Sequence, residues 1–284
     1  MKRALIAAGL VGIQVGAAIV ATRAVADEVG PATLTLMRYA IGVTSLLPAV
    51  WLSGWRPVPR GDVLPVALLG IGQFGILVAL LTMGLTRISA GPGAIVFALF
   101  PLLTFAISVA LGREHLRIAT VLGVLISVLG VAVCLGDTVR IEGGAAAWTG
   151  GALVLGAAAM GAICSVLYRP YLQRSSPLQL GVIAMAASVA ALVPFAALEA
   201  WPVLDAHGWS LVLFIGLSSG IGYWLWLWAL AHAPPTRVTV FLGLSPITAS
   251  VLGVVLLEEP ATLALAAGAA LVVAGQILVA RARA

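Results

Sequence analysis

The fold is decided by two related stretches of sequence, PLLTFAISVALGREHLRIATVLGVLISVLG (residues 101–130) and PITASVLGVVLLEEPATLALAAGAALVVAG (residues 246–275). Each consists of two apolar runs separated by a short segment with an acidic residue, a pattern that predicts two membrane-crossing helices joined by a tight loop. At an offset of 145 residues their proline, glutamate and glycine positions coincide, namely Pro101 with Pro246, Glu114 with Glu259, Gly123 with Gly268 and Gly130 with Gly275. The chain therefore contains an internal repeat.

The repeat extends toward the N-terminal end of both halves. Gly75 matches Gly220 at the same offset, and an offset of 146 aligns Arg23 with Arg169, Pro31 with Pro177 and Pro48 with Pro194. A change of one residue in the offset is what a single deletion in a loop produces. We therefore predict two repeats, at residues 1–140 and 141–284.

The composition places both repeats in a membrane. Of the 284 residues, 62% are hydrophobic and only 9% are charged, whereas soluble domains carry about 25% charged residues. This excludes a soluble globular domain, and the absence of a polar low-complexity tract excludes a disordered chain. Apolar segments that can cross the bilayer are predicted at residues 4–22, 31–53, 63–83, 90–111, 117–136, 148–168, 177–198, 208–230, 237–257 and 261–280.

Each repeat holds five of these spans, and the odd number has a topological consequence. The second repeat must enter the membrane from the side opposite to the first, so the two repeats are inverted. The sequence thus predicts an all-α polytopic membrane protein with ten transmembrane helices in two inverted five-helix repeats. This architecture is typical of secondary transporters, whose halves exchange conformations around a site near the midplane.

Lys and Arg are divided unequally between the two sides of the membrane. With the N-terminus inside, eleven lie in cytoplasmic segments, three lie outside, and the fifteenth, Arg38, lies within a span. Because basic residues collect on the cytoplasmic side, both termini are predicted to be cytoplasmic. The formal charge of +5 then describes topology, and no basic stretch interleaved with aromatic residues predicts nucleic-acid binding.

No motif predicts catalysis, a metal site or a cofactor. The two cysteines, Cys134 and Cys164, lie in separate apolar runs, and the three histidines fall in different loops. Zinc sites, redox pairs and hydrolase active sites need such groups close together. We therefore expect no cofactor and no metal, and a non-transporting membrane enzyme or an interaction protein is the alternative from another class.

The sequence resembles the drug/metabolite transporter superfamily and, within it, the ten-helix EamA-like carriers, most of all the YddG-type amino-acid exporters. The resemblance covers nearly the whole chain. It rests on the repeats, on Leu36-Met37-Arg38-Tyr39-Ala40 in the second span, and on the two Pro-to-Glu segments with their trailing Gly-rich helices. It implies export of small metabolites, often amino acids, across the bacterial cytoplasmic (inner) membrane.

Arg38 is the first candidate substrate-binding residue. A guanidinium inside a membrane span is costly, by about 3 kcal/mol on insertion scales, so it faces protein or water. It can pair with a substrate carboxylate, or it can be a structural arginine bonded to helix-end carbonyls. The resemblance implies an arginine here across different substrates, which suits the structural reading.

The remaining candidates for the central cavity come mostly from repeat-matched positions. Gln14 matches Met160, and Gln73 matches Ser218. A polar amide in a membrane span needs either a partner helix or a water-filled cavity, and Met adapts to varied apolar shapes. Tyr223 and Trp224 lie deeper in the eighth span than Trp226 and Trp228, and each faces either the cavity or the lipid.

Prolines within the fourth and ninth spans mark candidate hinges. Pro101 and Pro246 interrupt the helical ladder and free backbone carbonyls, which allows a gating movement or a fixed kink. Thr239 and Ser245 are the nearby polar side chains and can bind substrate or bond back to their own helix. Glu114 and Glu259 are expected to terminate helices or to pair with Arg at the membrane surface.

The transport path is predicted to be nearly neutral. Arg38 is the one basic residue within a span, and no Asp or Glu lies in the middle of any span. This favours zwitterionic metabolites, with amino acids first, over sugar phosphates, which would favour several basic residues in the spans. Proton antiport and facilitated export both stay open. The expected partners are a small-molecule substrate and the lipid bilayer, and the chain is long enough to enclose a site as a monomer.

Overall fold

The computed structural model describes residues 2–54, 57–112, 118–142, 144–232 and 240–283, most of which are helical. Within these ranges we number ten helices, and a 3-10 turn at Val240–Gly243 leads into the ninth. In chain order they are α1 Lys2–Val25, α2 Pro31–Ser53, α3 Arg60–Leu85, α4 Ala90–Ala110, α5 Ile118–Glu142, α6 Gly144–Leu172, α7 Pro177–Ala196, α8 Ala206–His232, α9 Leu244–Leu256 and α10 Leu263–Arg283.

The helices have the lengths that a bilayer requires. Helices α1 to α8 each hold a stretch long and apolar enough to cross a membrane, and α9 and α10 fall in shorter apolar stretches, Phe241–Leu256 and Leu263–Val279. The predicted fold class is confirmed. Large apolar side chains cover the outside of the bundle, and Trp51, Trp148 and Trp201 are exposed near helix ends, where tryptophan anchors a helix at the membrane surface.

The boundary between α5 and α6 differs from the prediction. The fifth span was predicted to end at residue 136, and this was wrong, because α5 continues to Glu142 and α6 begins at Gly144. The bilayer core needs only about 20 helical residues, so the end of α5 can project beyond it and still be helical. The turn falls instead at Gly144, whose φ of 49° is readily adopted by glycine.

Helices α5 and α10 form the most extensive helix pair among the described residues, and glycines bring them close together. A Cβ placed on Gly123 would lie 2.6 Å from Gly275 O, and one on Gly130 would lie 2.7 Å from Gly268 O. Small residues allow membrane helices to approach this closely. At the 145-residue offset Gly123 matches Gly268 and Gly130 matches Gly275, so the repeat symmetry converts the Gly123–Gly275 contact into the Gly130–Gly268 contact. Helices α5 and α10 are therefore related as two inverted repeats require.

Two carboxylates fasten helix N-termini across the repeats. Glu199, which follows α7, accepts hydrogen bonds from Ala32 N at 3.0 Å and Thr33 N at 2.7 Å in the first turn of α2. Glu259, which follows α9, accepts bonds from Ala90 N at 2.6 Å and Gly91 N at 3.2 Å in the first turn of α4. The first N–H groups of a helix lack intrahelical partners and favour negative charge. Glu259 therefore has a helix-end role, whereas Glu114 lies outside the described residues.

Helices α4 and α9 are both interrupted just before their prolines. The hydrogen-bond pattern of α4 breaks between Phe97 and Phe100, and that of α9 changes from a 3-10 turn to an α-helix between Gly243 and Leu244. These positions match at the 145-residue offset. Pro101 and Pro246 each lie in the first turn of the helical segment that follows, Phe100–Ala110 and Leu244–Leu256, and their role as gates stays a prediction.

Candidate functional site

A π-helical turn lies midway along α3 and forms one wall of the candidate site. It covers Ile71–Ile76, with the sequence IGQFGI. Such wide turns within α-helices are frequently found at functional sites. The repeat-matched segment of α8, residues 216–221, lies within a continuous α-helix. The two repeats therefore differ in backbone shape at the centre of the molecule.

Small residues in and beside this turn bring α3 close to its neighbours. A Cβ added at Gly72 would lie 2.9 Å from Cys164 Sγ and 3.4 Å from Met160 Sδ of α6. A Cβ added at Gly75 would lie 3.1 Å from Ser188 Oγ of α7. The turn is thereby packed between α6 and α7, and Gln73 and Phe74 lie between the two glycines.

Three aromatic rings meet next to the π-turn. Phe74 lies 5.0 Å from Tyr39 of α2 and 5.3 Å from Tyr223 of α8, measured between ring centroids. The second pair is edge-to-face at 89°, a favourable arrangement of ring quadrupoles. Met160 and Tyr223 pack against the core cluster that contains Tyr39 and Phe74. We call Tyr39, Phe74 and Tyr223 the aromatic cluster.

Two amides lie at chain neighbours of the cluster residues, Gln14 against Gly222 and Gln73 next to Phe74 in the sequence. Gln14 of α1 contacts α8 at Gly222, where any side chain would collide with the Gln14 amide oxygen. Gln73 precedes Phe74, and its Oε1 atom is buried without a hydrogen-bond partner among the described residues. A buried amide oxygen without a partner costs about 1–3 kcal/mol. A ligand that donates a hydrogen bond would relieve this cost.

Arg38 lies on the α8 side of the aromatic cluster. Its Nε atom donates to Ser219 Oγ at 2.7 Å, and that hydroxyl donates to Ile215 O at 2.6 Å. The guanidinium carbon is 5.7 Å from the Tyr39 ring centroid. The ion pairs formed within the described ranges involve Arg23 and Arg174, so Arg38 has no carboxylate partner there. Its observed bond is to a serine side chain rather than to a helix-end carbonyl.

The other predicted site residues fall into different surroundings. Ser218 is half-buried and donates to Ile215 O at 3.0 Å, within its own helix. Ser245 is buried at the contact of α9 with Gly16 of α1, and its Oγ atom has no hydrogen-bond partner in the part of the chain that is described. Thr239 lies outside the described residues.

Trp224 faces away from the aromatic cluster. It is 42% exposed and continues an exposed apolar stripe of α8 formed with Leu217 and Ile221. Residues three, four and seven apart share one helix face, so this stripe is the lipid-facing side of α8. We therefore leave Trp224 out of the site.

Three residues at or near the site were missed by the sequence analysis. Tyr39 stands next to Arg38, and Phe74 stands next to Gln73, so proximity to a predicted site residue was the available signal. Gln276 of α10 was also missed, although a buried amide in an apolar span is the same kind of signal as Gln14.

The described residues contain no group of three or more His, Cys, Asp or Glu side chains placed to hold a metal ion. What the site offers is aromatic surface, amide groups and one guanidinium. These groups can hold a small molecule with one anionic and one cationic end, since Arg binds carboxylates and aromatic faces attract cations.

The ten helices, in two inverted five-helix repeats, define a multi-pass membrane protein. The sequence pattern of the EamA-like transporter family matches the chain twice, at residues 2–136 and 148–281. The chain belongs to this family, and through it to the drug/metabolite transporter superfamily. The predicted resemblance is confirmed.

Curated relatives carry transporter names. An uncharacterized transporter of Archaeoglobus fulgidus is 28% identical over 264 residues, covering 89% of this chain and 90% of the relative. A probable terminal-alkyne amino-acid exporter of Streptantibioticus cattleyicolor is 28% identical over 286 residues, covering 99% and 94%. One solved crystal structure shares the fold, with a TM-score of 0.71 at 23% identity over 98% of this chain and 96% of the other.

Proposed function

We propose that this transporter exports small zwitterionic metabolites, amino acids first, from the cytoplasm of a bacterium. It does so by alternating access at the aromatic cluster, in the inner membrane, with both termini in the cytoplasm. The observation that carries the proposal is the buried, unpaired Oε1 of Gln73 in the π-helical turn, one residue before Phe74 in the chain. This oxygen accepts a hydrogen bond from the substrate ammonium group, which the ring faces also attract.

Arg38 supplies the opposite charge. It lies beside Tyr39, which belongs to the aromatic cluster, and within the described ranges no carboxylate pairs with it. The bond to Ser219 uses Nε alone, and a substrate carboxylate can accept hydrogen bonds from the terminal nitrogens of the guanidinium. A zwitterion held in this way brings one carboxylate for one guanidinium, so the site stays electrically balanced.

The name of one relative supports the same substrate class. The protein of Streptantibioticus cattleyicolor is called a probable terminal-alkyne amino-acid exporter and aligns with 99% of this chain. A site with a large apolar surface and few charged groups suits amino acids whose side chains are apolar. Basic and acidic side chains would bring charges into an enclosure whose one charged group already binds the carboxylate.

Two further aspects of the organisation belong to this proposal. The repeats comprise residues 1–140 and 141–284, a division supported by the two separate family matches. One chain supplies Arg38, Gln73 and the aromatic cluster, so the functional unit is a monomer. The protein moves its substrate without changing it, because the site holds groups that bind rather than groups that react.

The decisive experiment is a counterflow assay with purified protein in liposomes. Vesicles loaded with one unlabelled compound are placed in trace labelled compound, and uptake above that of empty liposomes is measured. The panel contains apolar-sided, acidic and basic amino acids, a phosphorylated sugar and an aliphatic amine. We expect uptake for apolar-sided amino acids, with the compound recovered chemically unchanged.

A phosphorylated sugar is the competing substrate class. Such a compound carries nearly two negative charges, whereas Arg38 is the single basic residue in the interior of a predicted span, since Arg117 and Arg237 are the first residues of theirs. Uptake of the phosphorylated sugar without uptake of any amino acid would overturn the proposed substrate. Chemical conversion of the recovered compound would overturn the proposal that the protein acts only as a carrier.

A further inference from the structure

A buried glutamine of α10 stands between the two proline-broken helices. Gln276 is 7% exposed, and its Nε2 atom donates to Ala98 O at 2.6 Å. Ala98 lies at the interruption of α4, where Leu102 N, the usual helical partner of Ala98 O, donates to Leu99 O at 3.0 Å instead. The amide of Gln276 replaces that missing donor.

The other end of the same amide points to the second broken helix. A Cβ added at Gly243 would lie 3.1 Å from Gln276 Oε1, and this oxygen is buried with no hydrogen-bond partner in the described part of the chain. Gly243 ends the 3-10 turn that leads into α9. At the 145-residue offset Ala98 matches Gly243, so one side chain touches equivalent positions of both repeats.

The contact is not mirrored in the other repeat. The residue that matches Gln276 is Val131 of α5, which cannot form a hydrogen bond. In the described ranges, α10 packs on both α4 and the start of α9, whereas α5 packs on α4 far more than on α9. The structure is therefore one of two conformations that inverted repeats can adopt, and Gln276 bonds to the broken helix of only one repeat in it.

We infer that Gln276 is a positioning residue that stabilises one access state of the carrier by holding α4 at its interruption. The inference rests on the proposed alternating access. In the opposite state the repeats exchange conformations, so α9 takes the shape that α4 has here and α5 takes the place of α10. Val131 then faces Gly243 and donates nothing. The single glutamine thus biases the equilibrium toward the state described.

The symmetry provides a test that a purely structural role would not pass. In the exchanged variant Gln276→Val/Val131→Gln, the amide belongs to the other repeat and reaches Gly243 O only in the opposite state. The same hydrogen bond then favours the opposite access. A glutamine that merely filled space would produce no reversal.

Access is measured by distances between spin labels in liposomes without substrate. One label pair joins the two repeats at each membrane face, at exposed loop or helix-end positions, in a background with both native cysteines replaced by alanine. The pairs are Glu28 with Val203 and Gly61 with Gln173. Each pair reports two distance populations, and their ratio measures the bias between access states.

Gln276→Met keeps the volume and removes the hydrogen bond. We expect it to shift the population ratio about five-fold toward the opposite state, the effect of one neutral hydrogen bond. The exchanged variant is expected to shift the ratio further in the same direction, about five-fold beyond Gln276→Val alone. An exchanged variant that matches Gln276→Val alone would overturn the inference.

The variant Val131→Gln keeps the native Gln276. It tests the inference if the variants that remove the Gln276 side chain do not fold. With one glutamine for each state, we expect a ratio about five-fold closer to the opposite state than in the parent protein. An unchanged ratio would contradict the inference. Because these measurements use no substrate, they can succeed even if amino acids prove to be the wrong substrate class, and a single unshifted distance population in all variants would contradict alternating access itself.

Discussion

At the scale of single residues, the repeat-matched side chains of Gln73 and Ser218 differ in their hydrogen bonding. Ser218 bonds to a carbonyl of its own helix at 3.0 Å, whereas Gln73 Oε1 is buried and unpaired in the described residues. A hydroxyl that is already bonded gains little from a ligand, and an unpaired amide oxygen gains a full hydrogen bond. Substrate binding should therefore depend on Gln73 and not on Ser218.

We expect Gln73→Leu to raise the substrate concentration for half-maximal counterflow about five- to ten-fold, the loss of one hydrogen bond. Ser218→Ala is the matched control and should leave it within two-fold. Both variants are compared at equal reconstituted protein. Equal effects of the two substitutions would show that Gln73 has no special contact with substrate.

Arg38 makes a prediction about charge recognition. We expect Arg38→Gln to lose at least ten-fold in affinity for the amino acid, because a charge-assisted hydrogen bond contributes about 1.5–3 kcal/mol. Competition with the corresponding decarboxylated amine should be nearly unaffected. Ser219→Ala removes the Nε contact but not the charge, so it should preserve the preference for the amino acid. A variant Arg38→Gln that retains the full preference would assign Arg38 a structural role.

At the scale of elements, two glycines of α5 distinguish the effect of helix packing on stability from the effect of helix propensity. Gly123 lies against the backbone of α10, whereas a Cβ at Gly136 would meet no atom within 4 Å. Ala is favoured over Gly in a helix by about 1 kcal/mol. The same substitution should therefore have opposite effects at the two positions.

We expect Gly123→Ala to lower the thermal stability of the protein in detergent, because the helices must separate and overpacking costs about 1–3 kcal/mol. Gly136→Ala should leave it unchanged or raise it. Stability is measured as the temperature at which half the protein is lost from the monodisperse chromatographic peak. A stable Gly123→Ala variant would contradict the close contact of α5 with α10.

The α2 N-terminus offers a second test at this scale. Glu199→Gln removes the charge and one of the two acceptor oxygens, so Ala32 N or Thr33 N loses its partner. A loss of about 1–2 kcal/mol in stability is expected from the bond and the helix dipole, seen as a lower unfolding temperature in the same assay. Glu28→Gln, an exposed loop position, is the control and should have no effect.

At the scale of the whole molecule, charge distribution sets the orientation. Eleven basic residues on one side against three on the other predict cytoplasmic termini. A fluorescent protein fused to the C-terminus should therefore fluoresce in cells, and alkaline phosphatase fused there should be inactive. The reverse pair of results would invert the orientation and, with it, the direction in which the transport proposal must be tested.

Much of this organisation was readable from particular residues. The matched prolines and glycines predicted the two repeats, and runs of apolar residues predicted ten helices, since both signals are periodic along the chain. The same matches did not predict the partners: Gly123 is equivalent to Gly268 but contacts Gly275. Equivalence is a relation within the sequence, whereas contact depends on how two helices cross.

The sequence by itself determined the membrane environment, the number of spans and their inverted arrangement. Hydropathy, charge asymmetry and an odd number of spans are properties of the chain that do not depend on which helices are in contact. Only the tertiary structure decided which side chains form the site. It placed Tyr39 and Tyr223 on Phe74, turned Trp224 toward lipid, and set Gln276 between two broken helices. These outcomes depend on the rotation of each helix about its axis. Packing against small residues of other helices determines that rotation, and no local sequence pattern predicts it.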